Sequence, residues 1–183
     1  MSSRYDLPKS LTLGGNEYRI RTDYRDIINI MNALTDPDLD NEAKAYVFFM
    51  ALFIDPVPPS LHEEAMKAGF DFINAGIASD NAPTVRLMDW EQDAPLIVSA
   101  VNKVANCEIR AMEYLHWWTF LGYYMEIGES QFSTVIQIRS KLKKKKKLEK
   151  YEQEYYRENK STVDLKDKIS SEELDELEKL IGW

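Results

Sequence analysis

The chain has 183 residues, enough for one domain with a substantial core and no need of disulfide staples. A net charge of −8 argues against a nucleic-acid binder as a whole, and a single cysteine, Cys107, excludes an intramolecular disulfide and suits a reducing compartment. The opening "MSSRYDLPKS" lacks the apolar core of a signal peptide. The longest apolar run, Tyr46 to Ile54, is half a membrane span before Pro56 stops it, so a soluble, non-exported protein without a membrane partner is expected.

In chain order, Ser10 to Leu13 and Tyr18 to Arg21 read as short strands of a hairpin around Gly14-Gly15-Asn16, residues that tolerate positive φ. Asp23 can cap a helix in which Ile27, Ile28, Met31 and Leu34 recur on one face. "DNEAKAYVFFMALFI" is a second helix, closed by Pro56, Pro58 and Pro59. Ser60 with Glu63 has the spacing of a capping box for the third, and Gly76 is a natural stop before the loop "IASDNAPT". Asp89, Glu91 and Asp93 stand at the start of a buried helix with Pro95 near its first turn, and this helical reading runs on through "NKVANCEIRAM", where Cys107 is expected to be buried and inert.

The segment Glu113 to Gly128, "EYLHWWTFLGYYMEIG", is read as the next helix, apolar over most of its circumference. Leu115, Trp118, Leu121 and Met125 form one stripe and are expected to be buried. Trp117, Phe120 and Tyr124 form an adjoining one. A central core helix is the first reading, and a groove that accepts a partner's helix is the second. Ser130 or Ser133 can cap a long final helix reaching the basic run, and after a polar linker Ser170 or Ser171 can cap a short amphipathic helix with Leu174, Leu177, Leu180 and Ile181. The expected fold is therefore mainly α, a helical bundle with a small N-terminal β-hairpin and a long charged C-terminal helix. Its expected organisation is a helical domain over 1–140 and a charged extension over 141–183.

From Arg139 to Lys150 eight basic residues face Glu149 alone, a net +7 that leaves −15 on the rest of the chain. Arg139, Lys141, Lys143, Lys144, Lys145, Lys146 and Lys147 occupy every side of a helix, which predicts a solvated, projecting rod. A sharper reading makes the run an electrostatic docking site for an acidic partner or for the chain's own acidic tail, and nucleic acid ranks below both.

No residue set points to chemistry. The acidic run Asp36 to Glu42 has oxygens at calcium-loop positions, but Asn41 stands where that loop needs glycine and Val47 falls at its last ligand position. His62 and His116 are the only histidines and lack a zinc-ligand spacing, and the seven glycines form no phosphate loop. No catalytic residue, metal or cofactor is expected. An enzyme would need a site assembled from scattered residues such as His116, Asp89 and Glu113.

Three elements carry a resemblance: Asp89, Trp90, Glu91 and Asp93; Leu115, His116, Trp117 and Phe120; and Val135, Ile138 and Arg139. With "YRIRTDYRDIINIMNAL" they resemble a family of phage and prophage tail morphogenesis proteins from Gram-positive hosts, over most of residues 10 to 145. The segment "NKVANCEIRAM" departs from the family pattern, which is more aromatic and contains glycine. The resemblance implies a non-enzymatic tail assembly chaperone in the host bacterial cytoplasm, which binds the long apolar tape measure protein and helps recruit tail tube protein. A structural component of the tail or connector is the alternative, and a homo-oligomer stays open. The partner-binding residues taken from the aromatic stripe and the lysine run are Trp117, Phe120, Tyr124 and Lys143 to Lys147.

Overall fold

A computed structural model describes residues 5–75 and 86–166. Among these residues the fold is mainly α, with eight helices and one two-stranded antiparallel sheet. The chain divides into two compact units, the first comprising described residues 5–75 with 116–118, the second 86–115 with 119–166. Gly76, the loop at 77–84 and the amphipathic segment at 170–183 lie outside the described residues.

In the first unit, β1 (Ser10–Leu13) and β2 (Asn16–Arg19) pair with Ser10 opposite Arg19 and Leu13 opposite Asn16. The two-residue turn between them holds Gly14 at φ +53° and Gly15 at +82°, the double left-handed geometry of the hairpin turn that matches strand twist. Helix α1 (Tyr24–Leu34) begins at Asp23, whose carboxylate accepts from the Arg25 amide at 3.0 Å. Helix α2 (Asn41–Leu52) begins at Asp40, which accepts from the Ala43 amide at 2.7 Å. These caps occupy donors that the first helical turn leaves without internal partners.

Helix α3 (His62–Ile73) starts later than the Ser60 and Glu63 spacing predicts. Pro59–Leu61 forms a tight 3₁₀ turn, so Ser60 lies inside that turn and Leu61 takes the cap position without a side-chain bond. The core joins Leu13, Ile27, Ile30, Phe48, Leu52 and Phe72. Gly69 is where α3 meets α2: a Cβ built there would stand 2.5 Å from Phe48 Cζ and 2.7 Å from Leu52 Cδ2. Both neighbours are themselves locked in the core, so Gly69→Ala is expected to lower stability by about 1 to 3 kcal/mol through overpacking. Urea denaturation checks this, and an unchanged midpoint would show that the two helices can separate freely.

The second unit holds α4 (Ala94–Ala105), α6 (Gln131–Lys143), α7 (Lys150–Glu158) and α8 (Lys160–Val163). Helix α5 (Trp117–Met125) gives its first two residues to the first unit and the remainder to the second. Pro95 sits in the first turn of α4 as expected. Ser130 caps α6 in a reciprocal box: the Ser133 amide donates to Ser130 Oγ at 3.1 Å, and the Ser130 amide to Ser133 Oγ at 2.9 Å.

Three stretches depart from the expectation. Helix α4 ends at Ala105, where Asn106 turns left-handed at φ +54°, and Ile109–Ala111 is a 3₁₀ turn, so "NKVANCEIRAM" is not continuous helix and Cys107 is exposed. Helix α5 starts at Trp117 instead of Glu113, because Asp23 and His116 form a β-bridge and the Trp117 amide donates to the Thr22 carbonyl at 2.7 Å, which holds the preceding chain extended. The long charged C-terminal helix is two helices: α6 ends at Lys143, the chain turns at Lys145, and α7 restarts with the Glu149 amide bonded to Glu152 at 2.7 Å. Consecutive lysines repel at the i,i+3 and i,i+4 spacings of a helix, and the break relieves that repulsion.

Arg139 is a further correction. It does not project with the lysines but is buried, 4% exposed, on the apolar stripe of α6 beside Val135 and Ile138. Its Nη1 and Nη2 bond both oxygens of Asp93, at 2.7 and 2.9 Å, and Asp93 is 1% exposed. The remaining donors reach the carbonyls of Val163, Leu87 and Thr162 at 2.6, 3.0 and 2.8 Å. All five guanidinium N–H groups are therefore engaged. Asp93 also accepts from the Asp89 amide, and Asp89 caps the turn before α4 by accepting from the amides of Glu91 and Gln92. One cation thus fastens the start of α4 and the end of α8 to α6.

Candidate partner-binding surfaces

The aromatic stripe proposed for partner binding is mostly interior. Trp117 is 1% exposed, with its indole N–H donating to the Ile73 carbonyl at 2.8 Å, and Phe120 is equally buried against Trp90. These two residues are core residues, which corrects their assignment to a surface. Of the other stripe, Leu115 is buried, Trp118 and Leu121 are half-buried, and Met125 is exposed. The buried face of the helix therefore carries Trp117 and Phe120, and His116, just before it, is buried as well. The Trp118 amide donates to His116 Nδ1 at 3.0 Å, so the ring proton resides on Nε2, which donates to the Pro8 carbonyl at 3.0 Å. The imidazole thus serves as a helix cap, and its burial lowers its pKa from the ordinary histidine value against the opposing pull of the Pro8 bond.

Tyr124 is half-buried and lines a cleft of about 450 Å³ in the second unit, beside Met88, Met125, Phe132 and Ile136. Its hydroxyl donates to Met88 Sδ at 3.1 Å, and burial together with the Asp93 charge raises its pKa. Lys143 to Lys147 are all exposed.

A larger apolar groove, about 610 Å³, lies in the first unit along α2. Helix α2 is apolar on nearly every side, and only Phe48 and Leu52 among its residues are fully turned into the core. On the opposite side Tyr46 and Met50, one turn apart, are 66% and 59% exposed, and Ile54 just beyond the helix is 49% exposed. The floor is stiff. Phe49 stacks on Phe53 and on the His62 ring, at centroid distances of 5.9 and 4.4 Å, and His62 Nε2 bonds the Val57 carbonyl.

The groove's end is anchored by charge. Arg21 Nη1 donates to the carbonyls of Met50, Ala51 and Phe53, closing the C-terminal end of α2 where cations are favoured. The Ile54 amide bonds the Arg19 carbonyl, and the Arg19 guanidinium grips Asp55, which holds that carboxyl at about 2. The result is a rigid apolar trough with methionine and tyrosine on its lip, the composition of surfaces that accept amphipathic helices. Sequence reading missed it because a helix without a polar face looks wholly interior; that same lack of a polar face was the signal.

Among the described residues, no three His, Cys, Asp or Glu side chains gather to hold a metal ion, and no helix is long and apolar enough to cross a membrane. In comparison with known proteins, the sequence model of the Bacteriophage Gp15 protein family matches residues 4–165. The chain belongs to that family. No curated protein and no solved structure matches the chain. The span shared with the Gp15 family takes in the α2 groove, the Asp93–Arg139 pair and the lysine turn, and it stops before the acidic segment at 170–183.

Proposed function

We propose that this Gp15-family protein serves phage morphogenesis as a tail assembly chaperone, binding apolar helical segments of the tape measure protein and assisting tail tube assembly in the host cytoplasm without catalysing a reaction. The observation that carries this reading is the exposed α2 groove, whose lip of Tyr46, Met50 and Ile54 offers a long apolar helix a place to lie. The chain's charge of −8 keeps such a complex from self-associating.

Co-expression with the tape measure protein of the same phage is expected to raise that partner's soluble fraction, with the two proteins co-purifying. Because burial of apolar surface drives the contact, the complex should survive moderate salt. The double variant Tyr46→Glu, Met50→Glu alters only exposed positions, so its thermal midpoint should stay near that of the parent while co-purification is lost. Retention of the partner by that variant would move the site away from α2. A tape measure protein equally soluble with and without the chain, together with this protein in purified virions, would favour a structural component of the tail.

A further inference from the structure

The turn after α6 concentrates Lys143 to Lys147 on one exposed reversal of the chain. It closes as a Schellman motif: the Lys146 amide donates to the Lys141 carbonyl at 2.8 Å, and the Lys145 amide to the Leu142 carbonyl at 3.0 Å. Lys145 stands at the left-handed position of that motif, at φ +52°. Glycine is the usual occupant there, because any Cβ is strained in that conformation. The chain keeps a lysine where glycine would be easier, in the middle of a cluster already crowded with like charge.

Among the described residues, no carboxylate neutralises the cluster. Among the described residues none of these five ammonium groups pairs with a carboxylate, whereas Lys141, one turn earlier, lies 2.7 Å from Glu152. Glu152 is buried, and its Oε2 accepts both the Lys141 ammonium and the Glu149 amide. The carbonyl end of α6 favours cations and offsets part of the mutual repulsion.

We propose that this turn is a docking site for an acidic peptide segment of a partner protein. The inference is independent of the α2 groove and of the chaperone reading. Nucleic acid fits less well on three counts. The rest of the chain carries −15 and would repel a polyanion extending past the turn, as duplex DNA does with a charge every ~1.7 Å. The cations are lysines, point charges without the planar fork that grips phosphate bidentately. On α7 the exposed ring is Tyr151 alone, with no platform for stacking successive bases. A short acidic peptide sets several carboxylates on the turn and leaves the acidic remainder untouched.

The test uses the full chain, fluorescein-labelled octaglutamate and fluorescence anisotropy. The peptide is expected to bind at about 50 mM salt and to weaken at least about tenfold at 300 mM, because exposed charge pairs are screened. Lys143→Gln, Lys144→Gln, Lys145→Gln, Lys146→Gln and Lys147→Gln together should abolish binding without lowering the thermal midpoint, and Lys145→Gly alone should raise that midpoint while weakening the peptide. Three results would overturn the proposal. One is binding unaffected by the five glutamines, and another is a duplex DNA of about 20 base pairs bound as tightly as the peptide. The third is a peptide that binds only after Glu172, Glu173, Asp175, Glu176 and Glu178 are neutralised, which would assign the turn to the chain's own acidic segment.

Discussion

Replacing Arg139 by Ala is expected to destabilise the protein by about 3 to 5 kcal/mol, the usual cost of leaving one partner of a buried ion pair uncompensated. The loss is large because Asp93, 1% exposed, would lose both guanidinium bonds, and the carbonyls of Leu87, Thr162 and Val163 would lose donors in the same step. Asp93→Ala should be comparably severe for the mirror reason. The pair variant Arg139→Met, Asp93→Leu separates charge from packing: it should recover a substantial part of the loss, since apolar replacement of both partners removes the stranded charge. Chemical denaturation of the three variants decides the matter. Three equal losses would mean that the hydrogen bonds to the carbonyls of Leu87, Thr162 and Val163, more than the ion pair, hold α4, α6 and α8 together.

Trp117→Ala should cost about 3 to 5 kcal/mol in the first unit, the range for a large aromatic lost from a core. Among the described residues Trp117 is the largest of the fully buried side chains, and both of its N–H groups are spent within that unit, the indole on Ile73 and the amide on Thr22. Trp117→Phe is expected to cost less, about 1 to 3 kcal/mol, because it retains most of the apolar volume and forfeits the indole bond. Thermal unfolding followed by circular dichroism reads both. A Trp117→Ala protein with an unchanged midpoint would place the indole outside the core and revive a groove on the aromatic helix.

The local chemistry of this chain was readable where one residue decides the geometry. Gly14-Gly15 announced the hairpin turn, Asp23 announced one helix start, and the pair Ser130 or Ser133 announced another, because each supplies a conformation or an acceptor that apolar neighbours cannot. The reading failed where distant partners intervene. Arg139 looked like the first member of a basic run, and its true partner lies 46 residues earlier in the chain; the clue was its place four residues after Val135 on an apolar stripe. The extended segment before Trp117 follows from pairing with Thr22 and Asp23, which no local propensity encodes. The α2 groove escaped notice for a related reason: apolar residues on all sides of a helix signal burial, yet which side lacks a neighbour is decided only by where α1 and α3 settle.

The left-handed turn at Asn106 leaves the thiol of Cys107 facing water, and the chain has no second cysteine with which it could react. In air, the disulfide open to this protein joins two molecules, so a covalent dimer that accumulates on storage reports oxidation of the sample and not a state of assembly. The same isolation makes the residue a ready-made attachment point. A maleimide dye or spin label will mark one defined position on the unaltered sequence, and distances measured from it can follow a bound partner without any engineered substitution.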